Sequence, residues 1–231
     1  MLKKFLFLVF MGTSVSAFAT DTAVREYQEN EVQFCSYNKE WRCNLYDKPI
    51  TGVLKIKNSK GGIYSTTEYK FGKEDGAIKY YYEDGTLQME AYAKDGKPEG
   101  SSKYYYENGK IYQEENYING KRNGIFKTYN EDGGLASEVL FKDDVMEFTK
   151  RYNENGRLIT EMLFKGGAPE NLKEYYEDGK LDKEVKFKDW QAVSGVLYDP
   201  QGEKMEMTKD YLKSYTEFAS FLLFMTGRNK I

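Results

Sequence analysis

Tyr-Tyr-Glu-Asn-Gly at 105–109 is the stretch that decides the fold, because the chain repeats it. Near-identical copies stand at 81–85 and 175–179, and related copies stand at 129–133 and 152–156. The closing glycines of these five copies recur at almost constant intervals: Gly85, Gly109, Gly133, Gly156 and Gly179. A fixed period in the range of roughly 20–50 residues indicates a repeat architecture.

Aligning the copies on the closing glycine shows columns that recur in phase. An aliphatic residue follows the glycine by two positions, and an aromatic residue follows it by eight, with Ala93 the exception. The polar columns are a lysine six before the glycine (Lys79, Lys103, Lys127, Lys150, Lys173), a tyrosine four before it (Tyr81, Tyr105, Tyr129, Tyr152, Tyr175) and a glutamate five after it (Glu90, Glu114, Glu138, Glu161, Glu184).

Each unit also contains two turn signals. Asp-Gly or Asn-Gly closes the repeated motif, and a second turn such as 94–97 ends the unit. Asp-Gly and Asn-Gly between aromatic and β-branched residues are the strongest short-range signals for a hairpin. The sequence therefore predicts a mainly β fold. We expect an elongated antiparallel meander of about seven tandem β-hairpin repeats over 46–208, with one hairpin for each interval between closing glycines.

Two registers are open for each hairpin. A two-residue turn places Lys103 opposite Glu114, which builds a cross-strand ladder of ion pairs. A three-residue turn that ends in a left-handed glycine places Tyr105 opposite Ile111 instead, on the same face as Tyr117. The second register gives the cleaner apolar face and is slightly favoured. A slip of one residue exchanges the two faces.

The start of the chain has the pattern of a secretory signal. Residues 1–19 carry Lys3 and Lys4, then an apolar run, and they end in Ala17-Phe18-Ala19, which predicts cleavage after Ala19. The apolar run is too short for a membrane anchor, which needs about 20 residues. We expect an exported protein that resides in the periplasm, at the cell surface or in the medium.

The segment 20–45 is predicted to be an N-terminal cap that closes the first edge of the repeat array. It contains Cys35 and Cys43, the two cysteines of the chain. In an exported protein such a pair is expected to form a disulfide. A metal or thiol site is the rival interpretation, and a small binding loop that presents Trp41 is the functional alternative to a cap.

The final segment, 209–231, changes character. Apolar residues recur there at spacings of three and four, which predicts an amphipathic helix ending near Gly227. Packed on the last hairpin, this helix would cap the second edge of the sheet. A membrane-surface helix is the alternative, but the segment lacks a basic polar face.

Composition limits the function. The chain has 34 basic and 37 acidic residues and no histidine. A mildly acidic chain without a basic run is a poor match to nucleic acid or to strong membrane binding. The lack of histidine excludes the usual catalytic triads and histidine metal sites. We expect no enzyme activity, no catalytic residues, no cofactor and no metal site.

The repeat resembles the MORN repeat variant of bacterial proteins. The resemblance rests on Gly-x-x-Lys-x-Tyr-Tyr-Glu-Asn-Gly-x-Leu followed by Glu-x-x-Tyr/Phe-x-x-Gly-Lys, which 100–121 matches nearly throughout. The stretches 76–97 and 124–142 follow it closely, and the resemblance extends over nearly all of 46–208. Bacterial proteins of this type are similar to the YwqK-like antitoxin family, which implies a non-catalytic module that binds a protein.

The predicted function is therefore that of an exported scaffold or protein-binding module, antitoxin- or immunity-like in form. The candidate partner-binding residues are the tyrosines three before the closing glycine, Tyr82, Tyr106 and Tyr176, since tyrosine gives a large contact area at low entropy cost. The alternative is a cell-envelope protein that binds carbohydrate or choline through aromatic hairpin repeats. Such proteins depend on tryptophan, and this chain has only Trp41 and Trp190.

Overall fold

The repeats form a long open sheet of consecutive strands. The structure, a computed structural model, describes residues 25–36 and 38–225, the last four of them as backbone only. Within these residues seventeen strands form one sheet, two more form a separate hairpin, and one α-helix follows. The predicted signal at 1–19 lies outside the described residues, as do 20–24 of the predicted cap and 226–231 of the predicted helix.

The elements follow one another as the repeat predicts. A 3-10 turn at Glu29–Glu31 separates the first two strands. In chain order the elements are β1 (Glu26–Gln28), β2 (Val32–Phe34), β3 (Arg42–Asn44), β4 (Gly52–Lys57), β5 (Ile63–Lys70), β6 (Lys73–Tyr81), β7 (Leu87–Lys94), β8 (Lys97–Pro98), β9 (Gly100–Tyr105), β10 (Ile111–Ile118), β11 (Lys121–Arg122), β12 (Gly124–Tyr129), β13 (Leu135–Lys142), β14 (Val145–Tyr152), β15 (Leu158–Lys165), β16 (Ala168–Tyr175), β17 (Leu181–Lys188), β18 (Gln191–Tyr198), β19 (Lys204–Glu206) and α1 (Lys209–Met225).

From β4 to β19 the sheet is an antiparallel meander in which strands adjacent in sequence pair in space. Strands β8 and β9 share the partner β7, and β11 and β12 share the partner β10, so each pair is one interrupted strand. The predicted fold class is confirmed, with one difference. Strand β1 pairs with β4 in parallel, since the β2–β3 hairpin between them lets the chain return in the same direction.

Two kinds of turn alternate along the ribbon. The repeated motif makes a three-residue turn whose closing glycine is left-handed, as at Gly109 with φ 79°. The second turn has two left-handed residues, as at Asn119 and Gly120 with φ 53° and 80°. Two-residue hairpin turns of this kind match the twist of the strands, and a three-residue turn ends in a bulge. Glycine, aspartate and asparagine recur because they tolerate this conformation.

Both predicted registers are present in the same hairpin. Tyr105 lies opposite Ile111, and two residues earlier Lys103 lies opposite Glu114. A bulge between Ile111 and Gln113 adds one residue to the second strand and makes the two pairings compatible. Every unit with this motif has the same shift. Treating the two registers as alternatives was wrong, because in these units the turn that ends in a left-handed glycine is followed by a bulge.

The bulge also assigns the faces of the sheet. We call the helix face the side that carries Leu172, Val185 and Phe187, which pack beneath α1. The opposite side, which carries the lysine, tyrosine and glutamate columns, is the ladder face. Tyr105 lies on the ladder face and Tyr117 on the helix face, since Tyr105 bonds Glu90 and Tyr117 bonds Glu115. The prediction that these two tyrosines share a face was wrong, because the added residue exchanges the faces.

Buried apolar residues form two clusters at opposite ends of the sheet. The C-terminal cluster joins strands β15 to β17 to Met207, Leu212 and Ala219 of the final segment. The N-terminal cluster contains Tyr27, Ile50, Leu54 and Tyr69. Among the described residues, no helix is long and apolar enough to cross a membrane. The helix instead packs on the last long strand, β18.

The disulfide between Cys35 and Cys43 is present, with both cysteines buried. It joins the end of β2 to β3 and closes a short loop, since the two cysteines are eight positions apart. On the chain-entropy estimate, closing so short a loop stabilises by roughly 2–3 kcal/mol. Arg42 lies 4.0 Å over the ring of Phe34 beside it. The disulfide therefore stabilises a small hairpin that consists of only two three-residue strands, β2 and β3.

Candidate binding face

The polar side chains of the ladder face bond to one another in a pattern that repeats from unit to unit. Four of the tyrosines that stand four before the closing glycine donate their hydroxyls to the column glutamate of the preceding unit. The pairs are Tyr105 to Glu90 at 2.7 Å, Tyr129 to Glu114 at 2.8 Å, Tyr152 to Glu138 at 2.8 Å and Tyr175 to Glu161 at 3.4 Å. The same glutamates face the column lysines, and Lys150 lies 3.4 Å from Glu161. The ladder therefore links one unit to the next.

These contacts keep the tyrosines protonated. Burial, then the hydrogen bond to Glu90, raises the pKa of Tyr105 to about 12. Burial and Glu114 raise the pKa of Tyr129 to about 12 as well. A neutral hydroxyl donating to a carboxylate is a charge-assisted hydrogen bond, stronger than one between neutral groups. The ladder tyrosines are thus committed to holding adjacent repeats together.

Each of the three candidate partner-binding tyrosines makes a hydrogen bond to the backbone of the next unit. Tyr82 donates its hydroxyl to the carbonyl of Tyr105 at 2.6 Å, Tyr106 to that of Tyr129 at 2.7 Å, and Tyr176 to that of Tyr198 at 2.7 Å. Each therefore ties its own turn to the next unit. Their rings remain half-exposed, so a role in partner binding stays a prediction.

The structure separates these three residues. Tyr106 contacts the ring of Tyr112 at 5.3 Å between centroids, and Tyr112 contacts Tyr104 at 5.8 Å. One unit earlier, Tyr64 meets Tyr80 edge to face at 5.6 Å. Several tyrosines thus lie close together on the helix face in the N-terminal half of the sheet, over β5 to β10. Tyr176, by contrast, lies more than two units away towards the C-terminus.

Two clefts open in this crowded region, which we call the open stretch. The first, of about 310 Å³, is lined by Asn58, Ser59, Tyr64, Tyr81, Tyr82, Glu83 and Gln88. The second, of about 320 Å³, is lined by Tyr80, Tyr82, Gln88, Met89, Tyr104 and Tyr112. They share Tyr82 and Gln88, which therefore form the wall between them. Both volumes are at the lower end of the range for ligand sites, which begins at about 300 Å³.

Glu115 organises the polar contacts beside the second cleft. It accepts hydrogen bonds from Tyr117 at 2.6 Å, from Tyr104 at 3.4 Å and from the amide of Gln113. Burial, then the charge of Glu115, raises the pKa of Tyr104 to about 12. The hydroxyls around the cleft are therefore hydrogen-bond donors throughout the physiological pH range.

The N-terminal cap contains the groups that a metal site or a small binding loop would use. Cys35, Cys43 and Asp47 lie close together, but the two sulfurs are bonded to each other and cannot ligate a metal as thiolates. The side chain of Asp47 accepts hydrogen bonds from the side chain and backbone of Ser36, which lower its pKa. Trp41 lies half-buried with Lys73 over its ring at 5.3 Å. Both groups are engaged within the cap.

The sequence identified Tyr82 and Tyr106 but missed most of the residues around them. Tyr80 and Tyr104 stand five before the closing glycine, and Tyr64 and Tyr112 three after it. These columns are tyrosine only in the first units, so they do not recur as the fold-determining columns do. Tyrosines confined to adjacent units were the signal that could have located the open stretch.

Four segments of the chain match the MORN repeat variant, at 74–95, 98–119, 122–143 and 171–189. The chain carries MORN repeat variants. Together these segments cover less than half of the chain. Each contains two strands that meet at one of the three-residue turns, such as 106–110 between β9 and β10, and each ends on the first residue of a two-residue turn, such as Asn119. The strands at 145–165 have the same register as the matched MORN units.

No curated protein matches this MORN-repeat chain. Among solved structures, a mutant of S. aureus TarM is 14% identical over 41% of this chain and 19% of its own, with a TM-score of 0.30. A GtfA/B complex with UDP and GlcNAc is 15% identical over 61% and 25%, with a TM-score of 0.26. An accessory secretory protein structure from Streptococcus pneumoniae is 13% identical over 48% and 19%, at 0.20. The chain spans a quarter or less of these structures, and TM-scores this low carry no argument.

Proposed function

We propose that this protein is an exported, non-catalytic repeat protein that binds another protein through the open stretch of its helix face. The observation that carries the proposal is the crowding of half-exposed tyrosine rings around two adjoining clefts. Aromatic residues are enriched where proteins bind each other, since each ring supplies a large area with few rotatable bonds. Tyr82 and Tyr106 belong to this surface.

Export is supported by the secretory pattern at 1–19 and by the disulfide of the cap. Disulfides persist in oxidising compartments and are rare in the cytoplasm. The proposed location is therefore the periplasm, the cell surface or the medium. The proposal includes no nucleic acid and no strong membrane binding, in keeping with 34 basic against 37 acidic residues.

The finer proposal is that the protein acts as an antitoxin- or immunity-like module. It rests on the resemblance of the repeats to the YwqK-like antitoxin family. An exported protein of that kind would neutralise a toxin outside the cytoplasm. Co-purification of a toxic protein whose activity the pure protein suppresses would support it.

Photo-crosslinking in intact cells tests the binding proposal. A photoreactive residue at Gln88 lies in the wall between the clefts, and one at Tyr92 lies on the same strand but on the ladder face. We expect a discrete protein adduct from position 88 and none from position 92. Equal labelling from both positions, or no adduct from either, would contradict the proposal.

Binding of carbohydrate or choline is the second candidate, and the cluster of Tyr104, Tyr106 and Tyr112 favours it. Several rings around one point are the arrangement that recognises quaternary ammonium groups. Retention of the protein on a choline column, or a saturable signal on a glycan array, would support this candidate. Loss of that signal in Tyr112→Ala would assign it to the cluster.

A further inference from the structure

The two clefts of the open stretch form a series with a fixed spacing. The column three after the closing glycine runs through both: Tyr64 and Gln88 line the first cleft, and Gln88 and Tyr112 line the second. Tyr82 with Gln88 separates the clefts. One unit contributes two strands, and strands lie about 4.8 Å apart, so equivalent points on adjacent units are about 9–10 Å apart. The clefts therefore lie one unit apart along the sheet, across the strands.

A polyproline II helix has nearly the same repeat. It has three residues per turn and rises about 3.1 Å per residue, so one turn advances about 9 Å. Its side chains return to the same face once per turn. A peptide in this conformation, laid across the strands, therefore presents a prolyl group to each cleft in succession.

The chemistry of the clefts also suits such a ligand. Proline-rich segments dock in grooves lined by aromatic rings, and the second cleft is lined by four tyrosines and Met89. The backbone of a polyproline II helix makes no internal hydrogen bonds, so its carbonyls need donors. Gln88 lies between the clefts and offers an amide, and Tyr80 offers a hydroxyl.

The turns beside the clefts are weakly acidic. Glu83 lines the first cleft, where Lys60 pairs with it at 2.6 Å, and Glu107 follows Tyr106 at the adjacent turn. The three turns beside the clefts, at 58–62, 82–86 and 106–110, carry two lysines against three acidic residues, a net charge of −1. A basic ligand therefore meets a slight electrostatic attraction at this edge of the clefts.

We infer that the open stretch binds a proline-rich, basic segment of a protein partner as a polyproline II helix, with one turn in each cleft. This inference rests on the proposed function and specifies the partner for the same surface. Tyr82 stands between the two turns of the ligand, and its ring is fixed by the bond to Tyr105. The wall is therefore held in place before the ligand arrives.

The test measures binding of a labelled, Arg-flanked peptide of three polyproline II turns, with prolines on one face, to the purified full chain by fluorescence anisotropy. The comparison peptide keeps the arginines and replaces each proline by glycine or serine. In Gln88→Trp the larger side chain stands in the shared wall and narrows both clefts. Tyr92→Trp adds the same ring to the same strand on the ladder face, where Tyr92 is 47% exposed.

We expect saturable binding of the proline peptide. Q88W should weaken this binding at least about tenfold, which corresponds to about 1.4 kcal/mol. Y92W should leave it unchanged. A peptide shortened to one turn should bind more weakly. Equal binding of the glycine–serine peptide, equal effects of the two variants, or no saturation would overturn the inference. Saturation by a chitin oligosaccharide or choline instead, lost in Q88W, would also overturn it.

Failure of this inference is distinguishable from failure of the proposed function. If photo-crosslinking at position 88 yields a partner whose labelled segment contains no proline run, the protein-binding function stands and the polyproline ligand is wrong. If position 88 yields no protein adduct at all, the proposed function itself fails.

Discussion

On strands β16 to β18 the helix face carries Leu172, Val185 and Phe187 beneath α1, whereas on β7 to β10 the same face carries tyrosines and stays open. The backbone is the same at both places: one hairpin per unit, with the same bulge after the same turn. Position six after the closing glycine is Val185 in one unit and Glu115 in another. The same backbone therefore carries an apolar, covered face in one region and a tyrosine-lined, open face in the other.

The side chains of this face are also stabilised in different ways in the two regions, by apolar burial in one and by hydrogen bonds in the other. At the C-terminal end the apolar side chains are removed from water by Met207, Leu212 and Ala219. In the open stretch, hydroxyl groups bond to carboxylates and carbonyls, as Tyr117 does to Glu115 and Tyr82 to Tyr105. The helix lies over the end of the sheet where Leu172, Val185 and Phe187 fill these columns. Polar tips on large rings keep the open stretch stable without a cover.

The largest expected loss of stability comes from placing glutamate, the residue that the open stretch has at Glu115, at the equivalent covered position, Val185. Val185 is fully buried, so Val185→Glu places a charge beneath α1 without a partner. We expect a loss on the order of 4 kcal/mol in the free energy of unfolding, measured by urea denaturation. Ala91→Glu, in the same column of an open unit, should change it by less than about 1 kcal/mol. Similar losses for both variants would contradict the comparison.

A smaller effect is expected from the site where the helix segment approaches the sheet. A Cβ at Gly195 would overlap the sulfur of Met207 and would lie 3.2 Å from the backbone oxygen of Glu184. Gly195→Ala should therefore cost about 1–3 kcal/mol and raise hydrogen exchange in α1 but not in β7 to β10.

Met207→Ala gives the control for that crowding, since it removes the sulfur that the new methyl group meets. The double variant should be less destabilised than the sum of the two single variants, by about 1 kcal/mol. Strict additivity would show that Gly195 is required for a reason other than the close approach of Met207.

The tyrosines that contact Glu115 should make the free energy of unfolding depend on pH in the alkaline range. The pKa of Tyr104 is about 12 in the folded protein against an ordinary 10.0, because of burial and Glu115. A raised folded pKa contributes stability that is complete below pH 10 and is lost as the pH rises to about 12. Tyr104→Phe with Tyr117→Phe should flatten the fall in unfolding free energy over this range. An unchanged pH profile would be evidence against the Glu115 contacts.

The smallest effect is expected from removing one hydroxyl between units. Tyr106→Phe deletes the bond to the carbonyl of Tyr129 and should cost about 0.5–1.5 kcal/mol by thermal unfolding. The ring is kept, so partner capture at the open stretch should persist. Tyr46→Phe is the matched control, since Tyr46 is 85% exposed, and it should leave the melting temperature unchanged.

Much of the fold followed from local patterns. The hairpins, the two kinds of turn, the disulfide and the C-terminal helix were all predicted, since each depends on residues close together in the sequence. The site was predicted only in part. Tyr82 and Tyr106 were found through their repetition, but Gln88 and Met89 belong to no recurring column and could not be found that way.

The sequence by itself determined the repeat, because Asp-Gly and Asn-Gly turns fix each hairpin through contacts a few residues apart. Only the tertiary structure decided which residues share a face and what covers it. The bulge after Ile111 exchanges the faces, and whether a face is closed depends on α1, which comes from a distant part of the chain. Burial is a long-range property, so the same column became a covered core at Val185 and part of an open, tyrosine-lined surface near Glu115.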